Sequence, residues 1–242
     1  MRQIFWKEFL GFLYSPVGYV VLGLFLIGTW LFVWVFPQTN LLELGVADLD
    51  TFFSLTPYVF LFLIPGITMR SLADEQRSGT LDLLLTHPPS VAWVLWAKYL
   101  AAWALVALAL LPTLTYVWTI YGLGVPVGNL DVGATTGAYL GLLLLGGVFV
   151  AVGIFASSLT ESQIGAFVGA LFLCFFLYEG LSSLARLSFW GETGYILEEV
   201  SLAYHYRSLG RGVIDSRDVL YFLGIIFFFL MGTRAVMSRR QW

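Results

Sequence analysis

Six stretches of this sequence are apolar over the length a helix needs to cross a lipid bilayer, and that feature removes almost every other fold from consideration. The runs are Val17–Phe36, Phe52–Met69, Val91–Tyr121, Thr135–Ser157, Ile164–Ala185 and Val219–Met237. A crossing takes about 20 mostly apolar residues, because each residue of a helix advances about 1.5 Å through a hydrocarbon core roughly 30 Å thick. Inside that core every backbone N–H and C=O must be paired within the protein, and a helix does this locally. The expected fold is therefore all-α, a single polytopic membrane domain over residues 1–242. Charged residues make up only 11% of the chain and its mean hydropathy is +0.86, whereas a soluble domain carries about a quarter charged residues. The third run is too long for one straight crossing and contains Pro112, which predicts a kink or a projecting end.

The opening "MRQIFWKEFLGFLYSP" reads as a helix lying in the membrane interface over residues 1–15 rather than a cleaved signal peptide. Ile4, Phe5, Phe9, Phe12 and Leu13 share one broad face, and Arg2, Lys7 and Glu8 are expected toward water. Orientation follows from Lys and Arg. With the N-terminus inside, the cytoplasmic side receives Arg2, Lys7, Arg70, Arg77, Arg234, Arg239 and Arg240, and Lys98 is expected to snorkel to the same side. Arg186, Arg207, Arg211 and Arg217 fall outside, with most of the acidic residues. Both termini are thus expected in the cytoplasm. The net charge of −3 excludes a basic nucleic-acid footprint, and the lone Cys174, inside an apolar run, is expected to be plain packing.

Between the second and third runs lies "RSLADEQRSGTLDLLLTHPP" (70–89), far more than a tether requires. Arg70 through Arg77 is polar and compatible with a helix. Gly79 breaks it and opens backbone angles other residues avoid. Thr80 then caps a second short helix with Asp82 in its first turn, where the dipole favours an anion. Leu81, Leu84 and Leu85 share a face of that helix, and Pro88 and Pro89 end it. An apolar edge beside a charged edge fits a docking surface for a partner protein; a helix resting its leucines on lipid headgroups fits equally well.

"DEQRSGTLDLLLTHP" resembles the cytoplasmic signature of type-2 ABC exporter permeases, in which a charged stretch leads into Gly-Thr-Leu, an acidic residue, a leucine run and proline. In that family the segment is the coupling helix, seated in a groove of the ATPase subunit. The resemblance places Asp74, Glu75, Arg77, Gly79, Thr80, Leu81, Asp82, Leu84, Thr86 and Pro88 in the ATPase-docking loop. A second stretch, "YHYRSLGRGVIDSRDVLYFLG" (204–224), is similar to the last external loop of the gliding-motility-associated permeases and more distantly to the nitrous-oxide-reductase maturation permease. What these likenesses imply is a permease of the bacterial inner membrane that works with a separate cytoplasmic ABC ATPase carrying ATP and Mg. They also imply a second permease copy, identical or related, and an auxiliary membrane or periplasmic subunit.

The chain has no G-x-x-x-x-G-K-[ST] loop to cradle phosphates, no H-E-x-x-H and no G-x-S-x-G. No catalytic residue and no metal site is expected, since His87 and His205 fall on opposite sides of the membrane. Intramembrane charges mark transport paths when numerous; here only Lys98 and Glu179 qualify. Glu179 together with His205, Tyr206 and Arg211 are candidates for a translocation path or a lid, against an outer-leaflet carboxylate reaching water. In "YILEEVSLAYHY", Ile196, Val200 and Ala203 are expected on one face, in short helices that dip into the outer leaflet or lie solvated. Gly147 and Gly153, and the G-x-x-x-G of Gly165 and Gly169, are expected to let helices pack closely. The rivals to an ABC permease are an ATP-independent carrier or channel and a membrane scaffold of a motility or secretion assembly.

Overall fold

The computed structural model describes residues 2–43, 45, 47–80, 91–186, 194–212 and 214–239. Among them every regular element is helical: α1 (Arg2–Leu13), α2 (Pro16–Trp34), α3 (Asp50–Thr68), α4 (Ala73–Arg77), α5 (Val91–Leu110), α6 (Leu114–Leu123), α7 (Val132–Ser158), α8 (Gln163–Phe175), α9 (Leu181–Ala185), α10 (Gly194–Glu199), α11 (Leu202–Leu209) and α12 (Ser216–Arg239). Six helical stretches are long and apolar enough to cross a membrane, and they coincide with the six apolar runs. The protein is a multi-pass membrane protein.

The third crossing runs from Val91 to Leu123 and is broken where Pro112 predicts. Residues Leu111–Thr113 form one 3₁₀ turn between α5 and α6, the local consequence of a proline with no N–H to give to the preceding turn. The fifth crossing is interrupted in a way the sequence did not announce. Phe176–Gly180 forms a π-helical turn between α8 and α9.

Helix α7 is the axis of the bundle, packed by α3, α5, α8, α11 and α12. Its small residues allow this. A Cβ on Gly153 would overlap the Thr68 hydroxyl of α3, and one on Gly147 would lie 2.9 Å from the Tyr99 hydroxyl of α5. The G-x-x-x-G of α8 behaves differently. Gly165 is exposed, and a Cβ on Gly169 would come no nearer than 3.8 Å to a neighbour, Ala156. The close face of α8 is carried by the adjacent Ala166 and Ala170, both fully buried. Tight packing thus falls to the alanines beside the two glycines, one residue or about 100° around the helix.

Peripheral helices turn large apolar side chains outward, among them Tyr19, Leu24 and Ile27 on α2 and Ile164, Val168 and Phe172 on α8, as lipid-facing helices do. Helix α1 lies against α5 and α2. Ser15 ends it and starts the next helix, its hydroxyl accepting from Gly18 N–H at 3.0 Å with Pro16 in the first turn.

Candidate functional site

Two groups of polar side chains sit at opposite ends of the bundle. The end that holds α1 also holds α4, the start of α5 and the end of α7. Here the charged segment between the second and third crossings leaves the membrane. Met69 through Leu72 turn out of α3, α4 follows, and Ser78 closes it, its N–H bonded to the Asp74 carbonyl at 2.9 Å. Gly79 then takes a φ of +67°, the left-handed conformation in which a glycine ends a helix at little cost. Leu81, Asp82, Leu84, Thr86 and Pro88 lie outside the described residues, as does the second short helix expected after Thr80.

On one flank, α4 is held by uncharged groups. The Ser157 hydroxyl at the end of α7 accepts from the N–H groups of Leu72 and Ala73 at 3.1 and 3.0 Å and donates to the Met69 carbonyl at 3.2 Å. It thereby supplies the partner that amides at a helix start lack. Gln76 donates to the Ser158 carbonyl at 2.9 Å. Gln163, opening α8, donates to Asp74 and accepts from Arg70 Nε at 3.2 Å.

On the other flank the fastening is ionic. Lys98 is only 2% exposed, and its ammonium donates to Glu8 Oε1 at 2.7 Å, the Ser71 carbonyl at 2.8 Å and Glu75 Oε1 at 2.8 Å. This corrects two expectations. Lys98 does not snorkel to water, because it has three acceptors within the fold. Glu8 turns to Lys98 on α5 and leaves only part of its side chain to water; it shares a helical stripe with Ile4 and Phe12, four residues on either side. Arg77, Gly79 and Thr80 are exposed beyond this anchored base.

At the opposite end, α11 lies across the start of α7 rather than free of it, and α10 packs on α9. The expectation of one apolar face through Ile196, Val200 and Ala203 fails, because the chain turns at Ser201, which caps α11 and accepts from Tyr204 N–H at 3.3 Å. Ile196 and Val200 are exposed, while Leu202, Ala203, Tyr206 and Leu209 are buried. Tyr206 reaches α3 and donates to the Phe53 carbonyl at 2.7 Å. That carbonyl is free because Pro57, four residues on, has no N–H to give it. Burial, with Tyr178 and Asp50 adding to it, raises the Tyr206 phenol well above its ordinary pKa, so the hydroxyl keeps the proton it donates.

His205 Nδ1 lies 2.7 Å from Asp218 Oδ1 and Nε2 lies 2.8 Å from the Glu199 carbonyl, with the ring stacked on Tyr221 at 3.8 Å. Asp218, in the first turn of α12, is one of the motif positions in 204–224, and the fold makes it the partner of His205. The candidates for a path or lid do not form one group. Tyr206 and Arg211 line a cavity of about 530 Å³ with Asp48, Asp50 and Asp131, whereas His205 turns away to α12. Glu179, in the π turn, accepts from the Tyr58 hydroxyl at 3.0 Å. Among the described residues no group of three or more His, Cys, Asp or Glu is placed to hold a metal ion.

In comparisons with known proteins, a family model described as ABC-2 family transporter protein matches residues 2–187. No curated protein matches the chain.

Proposed function

The chain belongs to the ABC-2 family of transporter proteins, and from that premise we propose that it is an exporter subunit driven by an ABC ATPase docked on residues 70–89. The family makes it a membrane permease subunit of an ABC transporter, a role that implies partnership with an ATPase subunit. The finer reading gives this chain the roles of conduit and lever. Both termini and the docking segment face the cytoplasm of a bacterium, ATP and Mg bind to the partner, and two permease copies flank the path. The residues at 204–224 resemble the gliding-motility-associated branch and favour an auxiliary subunit.

The observation that carries this reading is the anchoring of α4. A segment that only rested on headgroups would need no tertiary fastening. This one is bonded on one flank to Ser157, Ser158 and Gln163 and on the other to Lys98, while Arg77, Gly79 and Thr80 remain exposed. A surface held rigidly from behind and open in front can pass a push from a partner to α3, α5, α7 and α8.

The test is to express the chain with the ATPases encoded beside it, purify it in mild detergent and measure what remains bound. Stoichiometric ATPase, lost when residues 75–84 are scrambled in a chain that still folds, supports the reading. A folded chain that never retains an ATPase turns the assignment toward an ATP-independent carrier or a scaffold.

A further inference from the structure

An ammonium group has three N–H bonds and no lone pair. At Lys98 the three are matched by three acceptors on separate parts of the fold: Glu8 on α1, the Ser71 carbonyl in the turn after α3, and Glu75 on α4. The lysine itself stands on α5. Among the described residues the only ion pairs at this end of the bundle are the two that Lys98 makes, so it is the charged bridge between α1 and the docking segment.

We propose that Lys98 is a positioning residue that makes α1 a moving part of ATPase coupling, with displacement of the 70–80 segment passed through Glu75 and Lys98 to Glu8. This rests on the permease reading above. The physical reason is the cost of separating charges out of water. Drawing Glu75 away from a lysine that is almost wholly buried strips the ammonium of one of its three acceptors where water cannot replace it, and an unmet charged donor is costly, so the groups keep together when any one is displaced. The opposite flank of α4 is fastened by hydrogen bonds with Ser157, Ser158 and Gln163, with no ion pair among the described residues. Space for the movement exists: a cavity of about 280 Å³ lies between α1, α3 and α5, its wall including Gly11, Phe12, Ile67, Ala101 and Leu105. Two carboxylates against one ammonium leave one negative charge in excess, and Lys7, Arg70 and Asp74 on the same cavity wall together supply the one positive charge that balances it. Glu8 is the most accessible member of the cluster, with its side chain 28% exposed, and so tolerates substitution best.

The experiment uses the full chain with its ATPase in lipid nanodiscs. Spin labels replace Trp6 on α1 and Trp118 at the far end of α6, both exposed, in a chain carrying Cys174→Ala. The distance between the labels is read before and after trapping with ATP and vanadate, beside permease-stimulated ATP hydrolysis. In the otherwise native chain trapping shifts the distance. Glu8→Gln abolishes the shift and lowers stimulated hydrolysis roughly fivefold, the size of a modest coupling between sites, with the amount of bound ATPase unchanged. Arg2→Gln, on the same helix, exposed and away from the cavity wall, changes neither. Glu8→Asp, which keeps a carboxylate facing Lys98, retains both, whereas Glu8→Gln, closer to glutamate in shape, does not, a difference a purely structural role does not provide. An unchanged shift and unchanged hydrolysis in Glu8→Gln overturn the proposal, as does a Glu8→Asp variant that folds and behaves as Glu8→Gln. A native complex with stimulated hydrolysis and a motionless α1 sinks this inference alone, whereas a native chain that binds no ATPase sinks the permease reading and this inference with it.

Discussion

The two ends of the bundle use the same local device on different scales. At one end Lys98 donates to a carboxylate and a backbone carbonyl; at the other His205 lies between a carboxylate and a backbone carbonyl. In each case one oxygen of the carboxylate, Glu75 Oε2 or Asp218 Oδ2, is buried without a donor among the described residues. The difference is reach. Lys98 joins residues 90, 27 and 23 positions away, whereas His205 joins residues 6 and 13 positions away. The lysine holds together elements that meet only in the finished fold. The histidine closes a local corner between α10, α11 and α12, where Tyr221 also donates to the Val200 carbonyl. Charge buried at a long-range junction makes that junction move as a unit, while a local clasp secures one loop.

The comparison breaks most readily at the lysine. Lys98→Met leaves Glu8 and Glu75 facing each other without a cation, and removing one member of a buried ion pair costs about 3–5 kcal/mol. Thermal unfolding in mild detergent should show this as the largest loss of the series; a loss below that of the histidine variant would reverse the ranking of the two ends. Glycine packing supplies the next test, because the axis helix is tight at both ends. Gly153→Ala presses on Thr68, which is itself held by its bond to the Ile64 carbonyl at 2.9 Å, and Gly137→Ala presses on the Leu209 carbonyl of α11. Overpacking of this kind costs about 1–3 kcal/mol, and Gly153→Ala is expected to impair ATPase coupling as well, since Thr68 leads directly into the docking segment.

His205→Phe keeps the stack on Tyr221 but leaves Asp218 and the Glu199 carbonyl without their partner. We expect a loss of about 1–2 kcal/mol, faster proteolysis of the α10–α11 segment and unaltered ATPase binding. Weakened ATPase binding in this variant would show that the two ends are coupled. The smallest effect belongs to Gly169→Ala. Nothing lies closer than ordinary van der Waals distance to the added carbon, so stability should change by no more than about 0.5 kcal/mol. A large loss there would restore the G-x-x-x-G stripe as a packing face.

The crossings, the break at Pro112 and the turn at Gly79 were legible because each follows from a local property: run length, a missing N–H, a left-handed backbone. The ionic cluster was only half legible. A lysine inside "WAKYLAAW" is conspicuous in an apolar run, and such residues are paired or functional by default. The partner Glu8 was also within reach, since Ile4, Glu8 and Phe12 fall on one stripe of a helix, but grouping the charged residues of α1 together hid it. Glu75 appeared in a docking motif with nothing to show that one of its oxygens turns inward. The pairing of His205 with Asp218 carries no periodic signal, because the two stand on different helices joined by an irregular loop. The π turn at Phe176–Gly180 is invisible for a related reason: which turn of a long apolar helix widens is decided by its neighbours.

Pro57 has a consequence for how the chain is made. Helix α3 is synthesised early, and the Phe53 carbonyl enters the membrane surface region with no amide to accept from. The hydroxyl that finally occupies it belongs to Tyr206, 153 residues downstream, so it emerges from the ribosome only after the fourth and fifth crossings. Until then water or lipid headgroups must serve that oxygen, because an unserved carbonyl in lipid costs several kcal/mol. The second crossing is therefore completed by a late-arriving segment, with only the sixth crossing, α12, still to follow and pack on α7.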